Sequence, residues 1–154
     1  MFRESPRQRS LSVYHLHMGG ADGDALEFEA LKARRFDARL RAMGVRFVDA
    51  AWDADIVVLT GLLLRSTLDY VLQKLSNIPQ PSVLIAAGDC AINGGRWASA
   101  ETPGLAPYPL SHYADIQISV PGDPVTAQAL VASLVAAAER LRSRDENPAD
   151  SQGE

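Results

Sequence analysis

Two stretches decide the fold: ADIVVLTG (residues 54–61) and SVLIAAGDCAINGG (residues 82–95). In each, a short apolar run, Ile56–Leu59 or Val83–Ala87, stops abruptly at or just before a glycine. A continuous apolar run without polar alternation reads as a strand covered on both faces. A glycine just after it reads as the loop leaving the sheet. Working outward, Leu11–His17 reads as a first strand, followed by Gly19, Gly20 and Gly23. Ala25–Met43 reads as one long helix stopped at Gly44, and Val45–Val48 as a short strand. Leu64, Leu68, Val71, Leu72 and Leu75 recur at helical spacing, which predicts a helix over 62–76. Residues 88–95 read as a second glycine loop, and 96–112, with three prolines, as an extended loop. Ile116–Val120 is the last predicted strand, running into PGDP (121–124). Ala127, Leu130, Val131, Leu134, Val135, Ala138 and Leu141 form one stripe of a C-terminal helix.

Alternating strands and helices predict an α/β fold, a three-layer open parallel sheet with helices on both faces. The chain has 154 residues, 47% hydrophobic and 22% charged, with a formal net charge of −4, which fits one globular domain. Residues 1–10 read as a flexible lead-in, 11–142 as the domain and 143–154 as a disordered tail. One cysteine excludes an intrachain disulfide framework and any metal site built from several cysteines of this chain. No apolar run reaches the ~18 residues of a spanning helix, and MFRESPRQRS has no apolar stretch behind it. The expected location is therefore cytoplasmic. The acidic balance gives no support for nucleic-acid binding. Lys32, Arg34, Arg35, Arg39 and Arg41 cluster on one predicted helix and read as a solvated face, with a docking surface as the alternative.

In open parallel sheets, ligands bind outside the carboxyl ends of the strands. Three predicted loops fall there, residues 18–25, 88–96 and 121–124, each with glycine and aspartate. The acids Asp22, Asp24, Asp89 and Asp123, with Glu27 a helical turn further on, are expected to be neighbours whose crowding raises their pKa values. They either point to solvent, bind a hard or borderline cation with Cys90 and His17, or face a partner's charged or proton-handling group. His15 and His17 are assigned to opposite faces of the first strand as hydrogen-bonded structural residues, and His112 has equally little support as a ligand. No nucleophile elbow, phosphate loop or dinucleotide fingerprint is present.

The order of the loops resembles the small-subunit family shared by membrane-bound NiFe hydrogenases and the NADH-quinone oxidoreductase of the respiratory chain, complex I. GGADGDALE (19–27) is similar to that family's G-x-C-x-G-C-D-x-E, GDCAINGG (88–95) to G-x-C-A-x-x-G-G, VPGDPV (120–125) to V-P-G-C-P-P, and ADIVVLTG to A-D-x-x-x-x-T-G. The resemblance spans roughly residues 8–142 and implies a flavodoxin-like sheet. It also implies a 4Fe–4S cluster held by four cysteines. Those places fall on Ala21, Asp24, Cys90 and Asp123, so only Cys90 keeps the ligand type. Thiolates suit such clusters as soft anionic ligands, and carboxylates are harder. Glu27, Gly88, Gly94, Gly95, Pro121, Gly122 and Pro124 still match. Ala51-Trp52 replaces a prolyl-arginine pair, and Val125 replaces the second proline.

The resemblance thus implies the small subunit of a complex I-like or hydrogenase-like membrane assembly, structural or coupling in role, with the cluster lost. Its implied partner is a large-subunit homologue, with membrane subunits reached indirectly, on the cytoplasmic face. Two alternatives stand beside it. One is an electron-transfer subunit with an atypical iron–sulfur cluster on Asp24, Cys90 and Asp123. The other is a free-standing flavodoxin-like binding protein.

Overall fold

The computed structural model describes residues 10–98 and 102–146. Most of the expected lead-in and the tail beyond Glu146 lie outside the described residues. Five parallel strands, β1 (Leu11–His17), β2 (Val45–Val48), β3 (Ile56–Thr60), β4 (Val83–Ala87) and β5 (Ile118–Val120), form one sheet in the order β2-β1-β3-β4-β5. That is a flavodoxin-like strand order, in keeping with the flavodoxin-like open sheet that the resemblance implies.

Alternation along the strands builds two cores. Leu11 and Val13 of β1, Ile56 and Val58 of β3, and Val83 and Ile85 of β4 face one side. There they meet α1 (Gly23–Ala30), α2 (Arg34–Ala42) and α6 (Ala127–Glu146) through Phe28, Leu40, Leu130 and Leu134. Leu16, Val57, Leu59 and Ala86 face the other side. They meet α3 (Leu68–Ser76), α4 (Asp89–Asn93) and α5 (Leu110–Tyr113) through Val71, Ala91 and Leu110. All five residues of β3 are buried, as its unbroken apolar run predicts. Each such side chain removed from water contributes roughly 1.5–3 kcal/mol.

Six segments differ from the sequence reading. The long helix over 25–43 is two helices. The amides of Leu31, Lys32 and Ala33 bond three residues back, to Phe28, Glu29 and Ala30, and Ala33 is extended (φ −62°, ψ 147°). This break lets Phe28, Leu31 and Leu40 all reach the sheet. The helix predicted over 62–76 begins only at Leu68. Before it, Leu62 donates to Gly19, Arg65 to Gly104 and Leu63 accepts from Ala106, so the backbone is taken by neighbouring loops. Residues 89–93, read as loop, are helical and end at Gly94 in the left-handed region. Leu110–Tyr113 is a short helix inside the extended segment. The last strand starts at Ile118, and α6 runs to Glu146, four residues into the predicted tail. Among the described residues, no helix is long and apolar enough to cross a membrane.

At the amino edge of the sheet, the buried Asp55 of ADIVVLTG accepts the Ser12 amide at 2.8 Å and donates its own to Ser12 O at 2.9 Å. Its carbonyl accepts the Val83 amide. One residue thus ties three strands, and the opposite edge is left to carry the glycine loops.

Candidate functional site at the carboxyl edge

The loops after β1, β4 and β5 close on one another through their acids. Asp24, in the first turn of α1, is 3% exposed. Its Oδ1 accepts the Val125 amide at 2.8 Å. The carboxylate lies over Gly88, where a Cβ would overlap it and where φ is +96°. Burial raises the Asp24 pKa, the Val125 amide opposes that, and Asp123, Asp89 and Glu27 raise it further. A carboxylate removed from water and surrounded by like charges favours its proton.

The loops after β4 and β5 are sewn together by backbone. Gly88 donates to Val120 O at 2.8 Å and Asp89 to Gly122 O at 2.9 Å. Asp89 Oδ1 accepts the Gly122 amide at 2.9 Å. Arg96 reaches from the second loop to Asp123, with Nε 2.9 Å from Oδ2 and Nη2 on the same oxygen. Cys90 lies in the first turn of α4 and is 5% exposed. Burial pushes its thiol up, Asp24, Asp123 and Asp89 add to this, and Arg96 opposes it. A thiol held protonated is a poor nucleophile and a poor soft ligand. Ala21 has φ +47° and carries only a methyl group. Gly94, Gly95 and Gly122 all have positive φ, Pro121 is exposed and Glu27 is half-buried.

The fold therefore brings Asp24, Asp89, Asp123 and Cys90 within electrostatic reach of each other. Asp24 turns inward and Asp123 stays exposed. Asp22 goes elsewhere, to His17. Among the described residues, no group of three or more His, Cys, Asp or Glu side chains is placed to hold a metal ion.

The histidines correct the sequence reading. Residues two apart on a strand share a face, and His15 and His17 do so, with ring centroids 6.3 Å apart. Both meet the hydroxyl of Thr60, fully buried at the end of β3: His15 Nε2 at 2.7 Å and His17 Nδ1 at 2.9 Å. Their outer nitrogens meet carboxylates, His15 Nδ1 at Glu29 Oε1 and His17 Nε2 at Asp22 Oδ1, each 3.0 Å. Gly61 leaves room for this, since a Cβ there would lie 2.6 Å from His17 Cε1 and from Gly19 O. His112 instead stacks on Tyr108, with centroids 4.1 Å apart. Thr60, Arg96 and the Val125 amide escaped the sequence reading. The available signal for Thr60 was its place at the end of ADIVVLTG, just before Gly61. The Arg96 and Val125 contacts join distant loops and carry no local signal.

Comparison with known proteins gives one consistent result. Residues 22–137 match the family described as NADH ubiquinone oxidoreductase, 20 Kd subunit. The chain is 31% identical over 133 residues to a probable membrane-bound hydrogenase subunit, mbhJ, of Pyrococcus furiosus, covering 86% of this chain and 77% of that one. It is 28% identical over 127 residues to a subunit of the NADH-quinone oxidoreductase of Heliobacterium modesticaldum, covering 81% and 67%. Its fold matches a chain in the structure of the membrane-bound sulfane sulfur reductase, an archaeal respiratory membrane complex. The TM-score is 0.67 at 22% identity, covering 92% of this chain and 73% of that one.

Proposed function

This chain belongs to the NADH ubiquinone oxidoreductase 20 Kd subunit family, and from that premise we propose that it is the small subunit of a complex I-like or NiFe-hydrogenase-like membrane oxidoreductase assembly that has lost its 4Fe–4S cluster. Its role is structural or coupling. It sits peripherally on the cytoplasmic face and packs its loop-bearing edge against a large-subunit homologue. Exposed Leu26 and Trp97, on or next to those loops, suit a surface covered by a partner.

One observation carries the loss of the cluster. Asp24, at a ligand place, bonds the amide of Val125, at a place where the family's motif has proline. Proline has no amide hydrogen to give. The two departures therefore work only together: one supplies the acceptor, the other the donor. The remaining donor set does not suit the cluster either. Ala21 has no donor atom, Asp123 is held by Arg96, and Cys90 is a buried protonated thiol. Of the four thiolate places of the motif, only one keeps a sulfur, and that sulfur is held protonated.

The test is iron and acid-labile sulfide analysis of the chain isolated anaerobically with its complex, together with EPR under reducing conditions. The expected result is no stoichiometric iron assignable to this subunit and no change in the spectrum on Cys90→Ala. Near-stoichiometric iron and sulfide lost on Cys90→Ala would reject the reading in favour of an electron-transfer subunit with an atypical cluster. A soluble, flavin-bound monomer would reject it in favour of a flavodoxin-like binding protein.

A further inference from the structure

The contacts from Glu29 to Asp22 form one unbroken chain: Glu29–His15–Thr60–His17–Asp22, with distances of 3.0, 2.7, 2.9 and 3.0 Å. Each is hydrogen-bond length, and each needs one hydrogen. Two neutral imidazoles supply two and the Thr60 hydroxyl a third. The chain is one hydrogen short. Glu29 does not bring it: burial alone would raise its pKa, but bonds to His15 and Lys32 outweigh that and hold it low.

We propose that His15, Thr60 and His17 form a proton relay that holds one extra proton and passes it between the Glu29 and Asp22 ends of the sheet edge. In one state, His15 donates Nδ1–H to Glu29, Thr60 donates to His15 Nε2, and His17 is an imidazolium donating to Thr60 and Asp22. In the other, the His17 Nδ1 proton has moved to the Thr60 oxygen, and the original Thr60 proton has moved to His15 Nε2. An N–H and an O–H bond break, an O–H and an N–H bond form, and one positive charge crosses from His17 to His15. All four hydrogen bonds persist in both states.

The surroundings set which state rests. Burial lowers the His15 pKa, Glu29 opposes this, and His17 and Lys32 lower it further. The His15 side chain is 11% exposed against 31% for His17, so the charged form is disfavoured at the His15 end. Thr60 is 0% exposed, so water does not replace its hydroxyl. In the chain by itself, both ends reach solvent. Glu29 opens with Lys32, Phe47 and Asp49 on a cavity of about 270 Å³ at the end of the short β2. Asp22 is 75% exposed on the first glycine loop. The charged groups facing the pair are thus Glu29, Lys32 and Asp49 on one side and Asp22 on the other. The relay stands apart from the small-subunit reading, because neither cluster nor partner enters it.

The test is ring-nitrogen NMR on the full chain labelled with 15N-histidine, from pH 5 to 9. At pH 7.5 the expected spectrum shows one imidazolium shared by the pair, with His15 as the Nδ1–H tautomer and both rings titrating together. Thr60→Val should lower the pH at which the pair gives up that proton by about one unit, a tenfold weaker hold, and Thr60→Ser should restore it. Two neutral rings at pH 7.5 with independent titrations would overturn the relay, as would Thr60→Val spectra like the wild type's. If Thr60→Val does not fold, the wild-type tautomers and shared proton decide the matter alone.

Discussion

Two halves of one sheet edge solve the burial of polar groups in different ways. On the side of β4 and β5, buried or half-buried carboxylates accept backbone amides: Asp24 from Val125 and Asp89 from Gly122. The donors there are fixed and carry no proton to exchange. On the side of β1 and β3, carboxylates accept from imidazoles joined through a hydroxyl. Those donors titrate and can trade hydrogens. The first half is a clasp and the second a proton store. Asp24, Cys90 and Asp123, which correspond to ligand places in the family motifs, fall in the clasp, where side-chain carboxylates and backbone amides join the three loops.

The largest expected break in this comparison is Gly88→Ala. Its methyl group would overlap the Asp24 carboxylate at a backbone φ of +96°. Chemical denaturation should show a loss of about 3 kcal/mol or more, while the Glu29–Asp22 chain keeps its NMR signature. Val125→Pro comes next, removing the amide that Asp24 accepts, at about 2 kcal/mol. In an Asp24→Ala background the same proline should cost clearly less, because the bond is already gone.

Asp24→Asn sharpens the clasp by pH. The folded-state pKa of Asp24 is raised, so the folded chain holds this proton more tightly than the unfolded one. Its contribution is therefore full in acid and is lost as pH rises from the ordinary aspartate range of about 4 through the raised value. Asparagine lacks that loss. Stability curves should show Asp24→Asn gaining on the wild type as the pH rises above about 4. Cys90→Ala should cost only about 1 kcal/mol, the loss of a small buried group. The smallest effect belongs to Arg96→Ala, an exposed ion pair whose contribution salt screens. A thermal scan at high salt should barely separate it from the wild type.

How much of this was legible varies with the range of the forces involved. β1, β2 and β4 read correctly to the residue because apolar runs and bounding glycines are local signals. The start of α3 did not, because Leu62–Arg65 keeps a helical apolar period while its backbone is claimed by Gly19, Ala106 and Gly104. Ala33 breaks a helix with no proline or glycine to mark it. The site followed the same division. The family motifs pointed to Ala21, Asp24, Cys90 and Asp123, but carried no signal for the bond between Asp24 and Val125, 101 residues apart. The histidine pair was misassigned although the period-two rule sufficed to place both on one face.

That separation of 101 residues has a kinetic side. Bonds between positions so distant close late, after the local pairs around them are in place. β5, the first turn of α6 and the Val125 amide are made well after the loop at residues 18–25, yet they lock it. During synthesis, the loop edge is therefore open until Val125 has left the ribosome and docked. The order of manufacture itself keeps a half-made chain from presenting a finished loop edge.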